Sequence, residues 1–380
     1  MMRPIRLGGD QMIFGEGCLA HLKTLDGKRA FIVTAGRSMI EGGALARVRG
    51  LLEEGGMAVD VMTGVEPDPG FETVMRGAKK MQEFQPDWIV ALGGGSAMDA
   101  AKAMWVYYEH PELTKLSDIL PPKKIPKLRG RARMACIPST AGTASEVSRS
   151  IVITDNETHI KHGIGDMEMM PDVAICDPEI TATMPPKITA DTGMDALTHA
   201  LEALVSTRAH FLSDILTRAA VRDIMKYLPL AYRDGKNLAY REKMLNASTV
   251  AGMAFTNVSL GIVHSMAHTL GSVFSLPHGL SNAVLLPYVM QFNAQNAEAA
   301  ARYQSMADEL GEADLILAVR ELRRAVGIPD KLHELVPDRA AFIEKLHEMA
   351  EMALADGCTK TNPIIPTVLQ LEELYMEAYE

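Results

Sequence analysis

"DWIVALGGGSAMDAAK", residues Asp87 to Lys102, is the stretch on which the fold turns. An apolar, β-rich run ends in three glycines, and a small-residue helical pattern starts immediately after them. A glycine turn between strand and helix lets backbone N–H groups and the positive helix end face a phosphate. It is not the GxGxxG fingerprint, because Ala97 and Met98 stand where the third glycine is needed. No acidic residue follows at the usual strand end either. Taken alone, the stretch is as compatible with a plain tight turn as with a phosphate cradle.

Outward from there, strands and helices alternate. "RAFIVTA" (Arg29 to Ala35), "AVDVMTG" (Ala58 to Gly64) and "RMACIPST" (Arg133 to Thr140) have strand character. "ALARVRGLLEEGG", "FETVMRGAKKMQEF" and "SAMDAAKAMWVYY" have helical spacing. Alternation of this kind predicts a mostly parallel, Rossmann-like sheet with helices on its faces. From about Ala190 onward, Ala/Leu/Met/Glu segments of helical period take over, as in "LSDILTRAAVRDIMKYLPLAY". The double proline Pro185-Pro186 marks the expected boundary between an α/β domain, residues 1–185, and an all-α domain, residues 186–380.

With 380 residues, two domains are the default. Aromatics are scarce at 5% while methionine numbers 25, so the core is aliphatic and favours helices over a β-sandwich. The formal net charge of −10 leaves no basic stripe to neutralise phosphates, which excludes nucleic acid as a partner. The basic run "PPKKIPKLRGRAR" (Pro121 to Arg133) is expected as an exposed, solvated loop. Cys18, Cys136, Cys176 and Cys358 are widely spaced and form no CxxC pair, as expected of reduced thiols in a cytosolic protein. The N-terminus has no apolar signal core, and no apolar run is continuous enough for a membrane span. A cytoplasmic, soluble chain is the expectation.

Three clusters carry chemistry. In "IPSTAGTASEVSRSIVITD" (Ile137 to Asp155), Ser139, Thr140, Thr143 and Ser145 crowd hydroxyls at a strand end, where α/β sheets bind ligands. Helix capping would explain the same hydroxyls. In "TGMDALTHALEALV" (Thr192 to Val205), Asp195 and His199 stand one helical turn apart, which suits either a hydrogen bond or a shared divalent cation. "GIVHSMAHTLGSVFSLPHGL" (Gly261 to Leu280) then holds His264, His268 and His278, with His278 at an expected turn. No charged residue occurs between Lys243 and Glu298, and an unpartnered buried polar group costs roughly 1–3 kcal/mol. Four separately satisfied imidazoles would need partners that this region lacks. A metal held by Asp195 and imidazoles is the more economical account, and the N/O donor set suits Fe(II), zinc or similar first-row metals.

Together, "GGGSAMDAAK", "PSTAGTASEV", "TGMDALTHALEA" and "GIVHSMAHTLGSVFSLPHGLSNAVLLPYVM" resemble the iron-containing (group III) alcohol dehydrogenases in order and spacing. The resemblance extends from "MIFGEG" to "NPIIPTVLQLEELYMEAY", essentially the whole chain. It implies a dehydroquinate synthase-like fold, with the active site in the cleft between the two domains. It also implies hydride transfer between NAD(P)(H) and a small primary alcohol, diol or aldehyde whose oxygen binds Fe(II), with zinc as a possible substitute. The implied metal ligands are Asp195, His199, His264 and His278, and His268 is implied to contact substrate or pass protons. Gly94, Gly95 and Ser96 match the pyrophosphate loop; Asp99, Ser139, Thr140, Thr143, Ser145 and Lys161 match positions lining the nicotinamide cofactor. Many NAD-specific relatives carry an acidic residue after the first strand, where this chain has Ala35 followed by Gly36, Arg37 and Ser38. Nothing there repels a 2′-phosphate and Arg37 can pair with one, so the expectation leans to NADP. The family commonly forms dimers or larger assemblies, so a homo-oligomer is expected. The competing readings are a glycerol dehydrogenase-like zinc enzyme, a dehydroquinate synthase or maleylacetate reductase type, and a non-catalytic nucleotide-sensing protein.

Overall fold

The computed structural model describes residues 4–158 and 160–380. The chain divides into two compact units that meet in sequence at Met184 and Pro185.

The first unit opens with β1 (Gln11–Phe14), β2 (Arg29–Ala35), α1 (Gly36–Glu41), α2 (Ala44–Glu54), β3 (Ala58–Val65) and α3 (Phe71–Phe84). It continues through β4 (Trp88–Gly93), α4 (Gly95–Glu109), β5 (Arg133–Pro138), β6 (Ser150–Thr154), β7 (Lys161–Gly165), β8 (Val173–Cys176) and α5 (Pro178–Thr181). Six strands form one sheet in the order β1-β8-β5-β4-β2-β3, and every pairing in it is parallel. The chain steps outward from β2 to β3, then crosses back to place β4 on the other side of β2. That reversal opens a crevice at the carboxyl ends of β2 and β4, the position where doubly wound sheets take ligands.

Both faces of this sheet are covered, which explains its near-continuous apolar strands. Phe31, Val33, Ile89 and Ala91 pack on one side with Val74 and Met81 of α3 and Met98 and Met104 of α4. Ala30, Ile32, Val90 and Leu92 point the other way, against Val48 and Leu52 of α2. Strands β6 and β7 form a separate antiparallel hairpin, which strand–helix alternation does not foretell. The basic segment from Pro121 to Arg133 differs from its expectation. It is irregular and begins exposed, but Ile125 and Leu128 are buried in it. Arg129 donates from Nε to Asp172 Oδ1 at 2.5 Å and lies over the Trp105 ring. These contacts hold Arg129 within the unit.

The second unit is helical: α6 (Pro186–Val205), α7 (Phe211–Arg233), α8 (Leu238–Val258), α9 (Ile262–Phe274), α10 (His278–Asn293), α11 (Ala297–Leu310), α12 (Leu315–Ala325), α13 (Arg339–Ala355) and α14 (Val368–Tyr379). Pro186 sits at the first position of α6, where the missing N–H costs nothing. Helix α6 packs against α7, α8 and α10, and α9 packs against α10 and α13. From Thr189 on, α6 is buried at nearly every position. Among the described residues no single helix is long and apolar enough to cross a membrane, and α8 and α9, apolar enough jointly, are bent by 102°.

Candidate metal centre and nucleotide loop

Helix α6 carries Asp195, His199 and Glu202 along one buried stripe, all within 5% of full burial. The i, i+4, i+7 spacing places them on successive turns of the same face. Helix α9 brings His264 and His268 alongside, and α10 begins at His278. Gly279 permits that approach: a Cβ there would lie 2.3 Å from the Asp191 carbonyl oxygen of α6. Only glycine lets the start of α10 lean on α6 so closely.

The imidazole nitrogens converge on one carboxylate oxygen. His278 Nε2 lies 3.5 Å from Asp195 Oδ1, His264 Nε2 3.7 Å and His199 Nε2 3.9 Å. Asp195, His199 and His264 each offer a donor atom, all within 4.8 Å of one another. Ligands about 2.0–2.2 Å from a tetrahedral metal stand about 3.3–3.6 Å apart, so the three distances to Asp195 Oδ1 match that spacing or exceed it by up to about 0.3 Å, and a small inward shift would bring the donors round a shared cation. A second observation agrees. Asn282 turns its Nδ2 toward Asp195 Oδ1 at 2.7 Å, with the Nε2 atoms of His278 and His264 at 3.1 and 3.3 Å. Its buried Oδ1 has no hydrogen-bond partner among the described residues. The amide thus offers a positive end to a spot that three acceptors already face.

The electrostatics have the same sign. Burial opposes ionisation of Asp195, yet His199, His278 and His264 together hold it well below the usual carboxylate range. Burial also opposes protonation of His264, but Glu202 and then Asp195 outweigh it and push that imidazole up to about 9. His278 is held neutral, first by desolvation and then by the other imidazoles, against the pull of Asp195. Buried carboxylates here demand a positive partner, and the convergence point is where a divalent cation would supply it.

His268 is set apart. Its Nδ1 is 2.9 Å from Asp356 Oδ2, and its ring stacks on His278 with centroids 5.3 Å apart. Asp356 also accepts from Ser265 Oγ at 3.2 Å and the Cys358 amide at 2.7 Å. Burial works against its charge, but the His268 contact keeps its carboxyl well below the ordinary range. Asp356 and Glu202 are neighbours of the candidate site that the sequence reasoning missed. For Glu202 the signal was present in the i, i+4, i+7 run "DALTHALE"; for Asp356, distant in sequence, there was none.

In the first unit the glycine loop and the hydroxyl cluster are neighbours. A Cβ on Gly95 would lie 2.8 Å from Thr143 Cγ2, and one on Gly94 would lie 3.3 Å from Thr140. Gly94 caps α4 and Ser96 is in its first turn. Asp99 and Ser145 bond to each other: Ser145 Oγ donates to Asp99 Oδ1 at 2.9 Å, and the Val152 amide donates to Asp99 Oδ2 at 2.9 Å. Buried Lys102 donates to the Ser145 and Ser148 carbonyls, both at 2.7 Å. This network ties the hydroxyl loop and β6 to α4. Lys161, at the start of β7, pairs with Asp68 Oδ2 at 2.7 Å. Ser139, at the end of β5, donates its amide to the Gly93 carbonyl at 2.9 Å. Gly36, Arg37 and Ser38 open α1 directly after β2 and are exposed. Ser38 also borders a cavity of about 140 Å³ shared with Arg47, Glu179 and Thr183.

Comparison with known proteins follows the same lines. The iron-containing alcohol dehydrogenase model matches residues 10–178, and the model for the C-terminal region of the Fe-containing alcohol dehydrogenase family matches residues 189–379. The NADPH-dependent butanol dehydrogenase of Clostridium saccharobutylicum is 46% identical over 359 residues, 92% of this chain and 91% of that protein. An alcohol dehydrogenase of Thermococcus barophilus is 38% identical over 97% of each chain. The solved iron-containing alcohol dehydrogenase of Thermococcus thioreducens aligns with a TM-score of 0.93 at 37% identity, covering 99% of each chain. The fold is that of a metal-dependent oxidoreductase. The chain belongs to the iron-containing alcohol dehydrogenase family. It interconverts alcohols and aldehydes by hydride exchange with a nicotinamide dinucleotide; none of these matches favours the zinc glycerol dehydrogenase-like or sensor readings.

Proposed function

We propose that this enzyme reduces short linear aldehydes to primary alcohols with NADPH, and that Asp195, His199, His264 and His278 hold its Fe(II), with zinc as a substitute. The observation that carries the reading is the convergence of three Nε2 atoms on Asp195 Oδ1 at 3.5–3.9 Å. Bound there, a divalent metal supplies the Lewis acidity that polarises an aldehyde oxygen and lowers the pKa of an alcohol. The chain's own groups do the rest. Asp356 fixes His268 through Nδ1, leaving Nε2 to give or take the alcohol proton. The buried walls around His199, such as Phe255 stacked 4.5 Å from its ring, exclude water from the reacting centre.

The α4 start at Gly94, Gly95 and Ser96, with Thr140 and Thr143 beside it, receives the pyrophosphate. Asp99, Ser145 and Lys102 hold that loop in shape, and Ser139 and Lys161 border the dinucleotide. Gly36, Arg37 and Ser38 meet the adenosine ribose. The NADPH preference is supported by the absence of an acidic side chain from Ala35 to Ser38 and by the exposure of Arg37. Among the described residues no carboxylate pairs with that guanidinium. The NADPH-dependent relative points the same way. A cytoplasmic homo-oligomer is the setting we assign, in keeping with four unbridged cysteines.

The test is a panel of C2 to C6 aldehydes, diols and branched aldehydes, run with NADPH and NADH on Fe(II)-reconstituted protein. The reading expects the highest kcat/KM for linear aldehydes with NADPH. A specificity constant that is higher with NADH, or turnover confined to polyols, would refute it.

A further inference from the structure

Glu202 lies outside the expected ligand set, yet it is 3% exposed and packed directly behind His264. Its two oxygens do different things. Oε1 accepts the Val263 amide at 2.7 Å, which fixes the start of α9. Oε2 lies 2.5 Å from His264 Nδ1, the ring nitrogen opposite the one that faces Asp195. Gly261 makes room for this: a Cβ there would come within 2.8 Å of Glu202 Oε1.

We propose that Glu202 is the positioning residue of the metal centre, acting through His264. Accepting the Nδ1 proton fixes the tautomer in which His264 Nε2 carries a lone pair toward Asp195 Oδ1. The buried negative charge also makes that imidazole a stronger donor, as carboxylate–histidine pairs do at metal sites. Charge balance singles out a divalent cation. Asp195 and Glu202 contribute two buried negative charges at the centre, His199, His264 and His278 bind as neutral rings, and one M²⁺ closes the sum to zero. A buried carboxylate left without that compensation is costly. The carboxylate bond on Nδ1 thus makes His264 a strong imidazole donor.

The inference rests on the metal reading above, and the experiment separates the two. Metal-stripped wild type, Glu202→Gln and Asp195→Ala are titrated with Zn(II) against a chromophoric chelator, and the metal-free melting of each is recorded. The expected result is one Zn(II) per wild-type chain, none for D195A, and an affinity about 10- to 100-fold weaker for E202Q with little change in metal-free melting. Wild-type affinity in E202Q overturns the role of Glu202 alone. Failure of wild type to bind one equivalent overturns the metal reading and this inference with it. Should E202Q not fold, the wild type loaded with Co(II) decides the matter. Its proton NMR spectrum should show a hyperfine-shifted His264 Nδ1–H that persists in D2O. Exchange of that signal as fast as that of the two-fifths-exposed His278 refutes the bond.

Discussion

Replacing Gly279 with alanine tests how the metal centre is assembled without touching any donor. The new Cβ would stand 2.3 Å from the Asp191 carbonyl oxygen, 2.8 Å from its carbonyl carbon and 3.3 Å from Asp195 Cβ. Two of these neighbours are backbone in the middle of α6, so they do not swing aside. An ordinary contact of about 3.4 Å requires the start of α10 to retreat by about 1 Å, and overpacking of this kind costs about 1–3 kcal/mol. His278 is the adjacent residue and moves with it, away from an Asp195 Oδ1 that it now approaches at 3.5 Å. A ligand displaced by about 1 Å no longer meets the tolerance of about 0.2 Å for a metal bond. Gly279→Ala should therefore lose Zn(II) affinity in the chelator titration by at least about tenfold. Its KM for NADPH should stay unchanged, because the nucleotide loop belongs to the other unit. Wild-type metal affinity together with wild-type melting would refute the claim that Gly279 sets the α6–α10 approach.

Other perturbations separate the remaining parts. Gly95→Ala brings a methyl group to 2.8 Å from Thr143 Cγ2, so KM for NADPH should rise several-fold while Zn(II) affinity holds; an unchanged KM argues against the glycine loop as the phosphate site. Asp356→Asn keeps an acceptor for His268 Nδ1 but removes its charge, and kcat should fall by at least about tenfold with metal content intact. Steady-state kinetics showing full kcat would remove His268 from the proton path. Asp191 is pushed up to about 6 by burial, with Lys187 opposing. A raised carboxylate pKa means that ionisation penalises the folded state, so this contribution is absent below about pH 4, grows as pH rises through 6, and is full above it. In metal-free protein, Asp191→Asn should match wild type near pH 4 and exceed it by about 1–3 kcal/mol at pH 7.5 in denaturant melts. A gain that shrinks with rising pH would contradict the sign.

Local order was legible in the sequence, and long-range partnership was not. Strand β2 and helix α3 occupy the residues that their apolar periods mark, because both end at strong signals: Gly36 after the strand, and the Gln85-Pro86 break after the helix. The crossing order that creates the crevice beside β2 and β4 left no such trace. Strand β1 is four residues long and pairs in parallel with β8, some 160 positions away, so no local pattern announces it. The hairpin of β6 and β7 was hidden because its first strand lies in a run already read for its hydroxyls.

At the site, the one-turn spacing of Asp195 and His199 was visible, as was the scarcity of charge around His264, His268 and His278. That scarcity invited the inference that the imidazoles lacked carboxylate partners. The structure supplies them from outside the uncharged region: Glu202 from α6 for His264, and Asp356 at the end of α13 for His268. A histidine seeks its partner in space, so the charge content of its own segment is a poor guide to it.

The most direct measurement is metal-dependent NADPH oxidation with butanal, followed at the nicotinamide absorbance band. Wild type should lose turnover on exhaustive chelation and regain it with one equivalent of Fe(II), while His264→Ala, treated identically, should regain none. Sustained turnover by the chelated wild type, or full recovery by His264→Ala, would contradict a reaction centred on Asp195 and its histidines.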